Sequence, residues 1–121
     1  MQDGNKPLKK KIILESTFKR RVIRELKSIP NLYYFVKEAR SLVGIPDIII
    51  CYNSRFIAWE LKRSESEILD KNGKMHEKGR HRRQFLEIVK ILKAQGSARF
   101  VYPENFDEAI EDLLNTSAQE A

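Results

Sequence analysis

The unbroken apolar run Ile48-Ile49-Ile50-Cys51 and its surroundings constrain this chain more than any other feature. Asp47 to Tyr52 reads as a strand, and a continuous apolar run of that kind is the pattern of a strand covered on both faces. The polar break Asn53-Ser54-Arg55 is short, and the next stretch, Phe56 to Lys62, is again rich in strand-forming residues. Two such stretches around so short a break predict a β-hairpin. A sheet covered on both faces needs layers above and below it, so amphipathic helices should flank the hairpin in sequence.

They do. From Glu15 to Lys27, Phe18, Val22, Ile23 and Leu26 recur at helical spacing, with basic residues opposite them. Ser16 or Thr17 is placed to cap this helix, and Ser28-Ile29-Pro30 ends it. Leu32 to Glu38 reads as a strand after turn chemistry at Asn31. Phe85, Ile88, Val89 and Leu92 mark a second helix over His81 to Ala94, which Gly96 stops. Ser97 to Tyr102 is a further strand, Pro103 closes it, and Phe106 to Leu114 is a short acidic helix. The predicted order is α-β-β-β-α-β-α, an α/β fold with a central mixed β-sheet flanked by helices. With 121 residues, 41% of them hydrophobic, one core is possible and two are not. Residues 12–115 therefore form the expected single domain. Residues 1–11 read as a flexible basic tail, residues 116–121 as a disordered tail, and residues 63–80 as a long, mobile, charged loop.

Charge narrows the partner. The chain carries 23 Lys and Arg against 17 Asp and Glu, a formal charge of +6. The first thirty residues alone balance to +6, and from Val101 onward six acids meet no base. A basic body with an acidic end fits a polyanion, since basic charge supplies phosphate affinity independent of sequence. A soluble domain with a basic surface has the same composition. Cys51 stands alone, which excludes an internal disulfide and a Cys-rich zinc site, and its apolar surroundings read as a buried position. No apolar stretch reaches the roughly 18 residues of a membrane span. Met1 to Leu8 lacks the apolar centre of a signal peptide, so the expected location is cytoplasmic.

The chemistry concentrates in Gly44-Ile45-Pro46-Asp47 and, after twelve intervening residues, Glu60-Leu61-Lys62. Glu-x-Lys alone is weak evidence, because Glu25-Leu26-Lys27 repeats it inside the first helix. There the two side chains diverge by about 200°, at ~100° per residue. On a strand, alternate residues share a face, so Glu60 and Lys62 point together. The hairpin then brings Asp47 beside them. Two carboxylates with an ammonium suit phosphodiester hydrolysis, in which the acids hold Mg²⁺ and Lys62 orients water or stabilises charge on the phosphoryl group. A surface salt bridge uses the same residue types.

This string resembles the signature of the PD-(D/E)xK nuclease superfamily, in particular the virus-type replication-repair nuclease (VRR-NUC) domains and the archaeal Holliday junction resolvases. The match extends from Glu15 to about Leu114, and the predicted element order is the family's. The resemblance implies a restriction-endonuclease-like core, a metal-associated acid at Glu15, and a Gln on the second helix at Gln84 that holds the carboxylates or Lys62. It also suggests a role for Ser41, a few residues before Asp47. Away from the family, Glu15 reads as an acid favoured at a helix N-terminus, Gln84 as a solvated helix residue, and Ser41 as a turn serine. The connection from Lys62 to Gln84 is longer than in compact relatives. Within and beside it Lys71, Lys74, Lys78, Arg80, Arg82 and Arg83 are candidate phosphate contacts, with a solvated loop as the alternative. His76 and His81 read as bystanders. Trp59, Tyr33, Tyr34 and Phe35 resemble a base-stacking set, but their strand positions point to core or subunit-interface packing.

The expected activity is that of a Mg²⁺-dependent endodeoxyribonuclease, with Mn²⁺ as substitute, acting on junction or branched DNA in recombination, repair or phage replication. The resemblance further implies a homodimer. The alternative is a nuclease-fold DNA-binding module without catalysis; the presence of Asp47, Glu60 and Lys62 together argues against it.

Overall fold

The computed structural model describes residues 6–38, 45–76 and 79–115, with side chains from Thr17 onward in the first segment and from His81 onward in the last. Ser41 and Lys78 lie outside the described residues, as do the expected tail at 116–121 and the first five residues.

The chain runs α1 (Lys6–Lys27), β1 (Tyr33–Val36), β2 (Ile48–Tyr52), β3 (Arg55–Leu61), α2 (Gly79–Lys93), β4 (Ser97–Val101) and α3 (Phe106–Leu114). This is the predicted order, and the architecture is α/β with a four-stranded mixed sheet between helices. The strands lie β1-β2-β3-β4, the first three antiparallel and the last parallel to β3. The hairpin between β2 and β3 turns on Asn53 and Ser54, both at positive φ (53° and 63°), between the paired residues Tyr52 and Arg55. Two left-handed residues match the right-handed twist of the flanking strands, which is why so short a turn closes here.

One face of the sheet carries the main core. Ile48, Ile50, Ile57, Trp59 and Val101 pack there against Phe18, Val22 and Leu26 of α1 and Phe106, Ala109 and Leu113 of α3. Edge-to-face contacts of Phe106 with Phe18 (5.7 Å) and Trp59 (6.4 Å) tie the three elements together. On the opposite face α2 covers β4 and part of β3, where Ile88 and Ile91 meet Ala58, Ala98 and Phe100. Small residues at 58 and 98 let the helix approach closely.

Several expectations need correction. α1 begins at Lys6, so the expected flexible tail at 1–11 is helical from its sixth residue, and Ser16 and Thr17 lie inside the helix instead of capping it. The expected loop at 63–80 is ordered in part. It contains a 3-10 turn over Glu65–Glu67, an isolated bridge between Leu69 and Met75, and the first turn of α2. Ile68 anchors it by burial, and Asp70 Oδ1 accepts the backbone N–H groups of Asn72 (2.8 Å) and Lys74 (2.9 Å) around Gly73 at φ 81°. Among the described residues β2 is fully covered on one face and only partly on the other. Ile49 is half-buried and Cys51 is exposed, because α2 sits over β3 and β4. Tyr34 and Trp59 belong to the core as expected, whereas Tyr33 and Phe35 are exposed.

Candidate functional site

The strand registers place the singled-out residues in one row. Ile48 pairs with Trp59 and with Val36, so one step further Asp47 stands opposite both Glu60 and Lys37. The Lys37 N–H donates to the Asp47 carbonyl at 2.8 Å, which extends the β1–β2 ladder to this row. Glu60 pairs in turn with Phe100 of β4. Lys37, Asp47, Glu60 and Phe100 thus cross four strands on the face that α2 partly covers, and Lys62 follows Glu60 at the next position on that face. The Lys62 N–H donates to Val101 O at 2.9 Å, which keeps β3 and β4 together past the last paired residues.

Each side chain is held. Asp47 Oδ2 accepts the Leu61 backbone N–H at 2.9 Å, reaching across to the neighbouring strand. Lys37 Nζ lies 3.8 Å from Asp47 Oδ1 and donates to the Ile45 carbonyl at 2.9 Å. Glu60, only 4% exposed, accepts the Gln84 side-chain amide on Oε2 at 2.5 Å. Lys62 Nζ donates to Gln84 Oε1 at 2.6 Å and lies 5.6 Å from the centre of the Phe100 ring. The orientation of Gln84 follows from its partners: an ammonium only donates, so the amide oxygen faces Lys62 and the amide nitrogen faces Glu60. Gln84 is buried. It is not the solvated helix residue that composition alone allows.

Glu60 is electrostatically loaded. Burial first, then the negative charge of Asp47 and a hydrogen bond shared with it, push the Glu60 carboxyl from 4.5 up to about 8, against the opposing pull of Lys62 and Lys37. The two acids face one another closely enough to share a proton. A divalent cation held by two such hard oxygen donors would relieve the repulsion between them. Asp47 and Glu60 are the residues that could hold it. Among the described residues no cluster of three or more such ligands occurs.

Glu15 lies well inside α1, not at its start, so the N-terminal dipole no longer accounts for an acid there; its side chain lies outside the described residues. The helical Glu25 and Lys27 are both exposed around the buried Leu26, as divergent positions should be. Lys71 and Lys74 are exposed beside the Asp70 turn, and Arg82 and Arg83 are exposed on α2 one turn or less from Gln84; for Arg80 the backbone alone is described, within α2. His81 is buried and stacks on Phe100 at 5.0 Å, with neither ring nitrogen partnered among the described residues, and burial, Lys62 and His76 lower its pKa. His76 Nε2 lies 3.1 Å from the Ser66 carbonyl. Sequence reasoning missed Lys37. The signal was present: Tyr33, Phe35 and Lys37 alternate on one strand, and only the register against β2 was needed to set Lys37 beside Asp47.

Comparison with protein-family models, with curated proteins and with solved structures finds no match to this chain.

Proposed function

We propose that the chain is a divalent-metal-dependent endodeoxyribonuclease with a restriction-endonuclease-like core, using Mg²⁺ or Mn²⁺ to hydrolyse phosphodiester bonds in branched or junction DNA. The observation that carries the reading is the chain of contacts Asp47–Glu60–Gln84–Lys62. It sets two carboxylates and one ammonium on a rigid strand pair, with a neutral amide fixing the spacing between acid and base.

When bound, the metal would supply Lewis acidity toward a scissile phosphate and toward water. The chain's own groups do the rest. The Leu61 N–H holds Asp47 in place, and the Gln84 amide holds Glu60. Gln84 Oε1 keeps Lys62 close to the acids, where its ammonium can meet charge that develops on phosphoryl oxygens. The basic side chains of Lys71, Lys74, Arg82 and Arg83 are exposed nearby in sequence and suit contacts to the phosphate backbone. Cutting both strands of a junction needs two such sites, so the reading carries a homodimer with it. A cytoplasmic setting fits such a substrate.

The test is cleavage of linear, nicked, flap and four-way-junction DNA with and without Mg²⁺ or Mn²⁺, together with the mass of the particle in solution. Wild type should cut only with metal, and Asp47→Ala and Glu60→Ala should abolish cutting while DNA binding persists. A wild-type protein that binds these DNAs and cuts none of them would falsify the enzyme reading.

A further inference from the structure

The face of the sheet that bears Glu60 continues past α2 as open aromatic surface. Tyr33 is 66% exposed, Phe35 54% and Phe56 46%. The registers set them in two rows: Tyr33, Cys51 and Phe56 across three strands, and Phe35 with Ile49 and Ala58 one row nearer the Lys37–Asp47–Glu60 row. Lys37, Phe35 and Tyr33 are therefore successive residues of one column on one face, stepping away from the acids at about 6.6 Å per row. Beyond the last row Phe56 forms one wall of a cavity of about 390 Å³, shared with Arg55, Ile91 and Gly96.

We propose that Tyr33, Phe35 and Phe56 form a stacking track for the unpaired bases of a single-stranded DNA segment that leads to Asp47 and Glu60. The proposal rests on the nuclease reading only for where the strand leads. Three observations select this occupant. The exposed side chains are aromatic, and base–ring stacking tolerates any base because each has a π-face. In a duplex those faces are covered by neighbouring bases at about 3.4 Å per nucleotide, whereas a row spacing about twice that suits a strand pulled out of its stack. The strip is also continuous with the acid row on the same strands, and a net charge of +6 favours a polyanionic occupant. A second copy is disfavoured at this strip by area. Three half-exposed aromatic side chains offer roughly 300 Å², well below the ~800 Å² per partner of a standard interface.

The test is binding of a labelled single strand, a duplex of equal length and an abasic strand of equal length, by fluorescence anisotropy in EDTA over a series of salt concentrations. A ribo-oligonucleotide of the same sequence separates DNA from RNA as the source of the unpaired bases. The single strand should bind more tightly than the duplex, and the abasic strand should lose most of that advantage. Tyr33→Ala and Phe35→Ala should each weaken single-strand binding about tenfold. They should leave the salt slope unchanged, because no phosphate contact is removed, and Phe35→Trp should retain binding. Both sites are exposed, and circular dichroism verifies that the variants fold. The proposal is overturned if the alanine variants bind single strands as wild type does, or if the abasic strand binds as well as the intact one. It is equally overturned if the substitutions halve the mass of the particle in solution, which would assign the strip to a second copy. Because binding is read without metal, failure to cleave any DNA would count against the nuclease reading alone.

Discussion

The side-chain amide nitrogen of Gln84 on α2 lies 2.5 Å from Glu60 Oε2 on β3, and both residues are buried. Through its other end the same amide holds Lys62 at 2.6 Å. One neutral side chain thus bridges and orients an acid and a base.

Replacing Gln84 should therefore cost both stability and activity. Gln84→Ala leaves a buried Glu60 oxygen without its donor, a loss of about 1–3 kcal/mol that lowers the urea midpoint of unfolding. It also removes the Gln84 contact that positions Lys62, and metal-dependent cleavage should fall by about 10–100-fold, as when a residue that orients a metal ligand is removed. Gln84→Glu should be worse for activity, since a second carboxylate there would bind Lys62 directly and repel Glu60. Parallel unfolding curves and cleavage rates check both variants.

The raised Glu60 carboxyl makes the metal-free fold sensitive to pH. Its folded value of about 8 lies above the unfolded 4.5, so the folded protein keeps a proton that the unfolded chain releases. Stability is fully present below about 4.5 and is lost as pH rises through about 8. Thermal unfolding in EDTA should accordingly show a falling midpoint across this window. Glu60→Gln should flatten the slope, and Mg²⁺ should restore the wild-type midpoint most strongly at the alkaline end, where no proton competes with the ion.

His81 responds in the opposite sense. Burial, then Lys62 and His76, lower its pKa below 6.5 in the folded state. The stability it contributes is present above the unfolded pKa and is lost as pH falls through the lower folded value. With both ring nitrogens unpartnered among the described residues and the ring stacked on Phe100, His81→Phe should keep the packing and remove the unsatisfied groups. A gain of about 1 kcal/mol and a flatter acid limb in denaturant titrations are expected. Loss of cleavage at neutral pH in a well-folded His81→Phe would instead show that the imidazole takes part in the reaction.

The segment after β3 is tied down by Arg63 and Glu67. The Arg63 backbone N–H donates to Glu67 Oε1 at 2.8 Å, and its guanidinium pairs with the other carboxylate oxygen. Burial alone would raise the Glu67 carboxyl, but these hydrogen bonds and the Arg63 charge outweigh it and hold the pKa below 4.5. Glu67→Ala should loosen the segment locally, with trypsin cutting faster at Lys71 and Lys74. Global stability should change by less than about 1 kcal/mol, as for a partly exposed ion pair.

How much of this was readable beforehand differs from residue to residue. Asp47 and Glu60 were legible as partners because the Asn53-Ser54 turn admits one hairpin, and alternation on a strand puts Glu60 and Lys62 on one side. The apolar periods of α2 and α3 were legible for the same local reason. Gln84 could be placed on a helix by its neighbours, yet only the parallel pairing of β3 with β4, to which α2 connects, sets that helix over Glu60. Lys37 was overlooked because its importance lies in the register between β1 and β2, which no local pattern of either strand fixes.

The sequence by itself determined which segments are helices and strands and which of their side chains alternate together, because those patterns depend on residues a few positions apart. It also determined that two carboxylates and a lysine meet at one end of a hairpin. Only the tertiary structure decided how completely each face of the sheet is covered. The run Ile48-Ile49-Ile50-Cys51 reads as buried on both sides, yet α2 lies over β3 and β4, leaving Cys51, Tyr33 and Phe35 exposed on the face that bears the acids. Burial is a property of what packs above a residue, and a strand's own sequence does not contain the position of the helix.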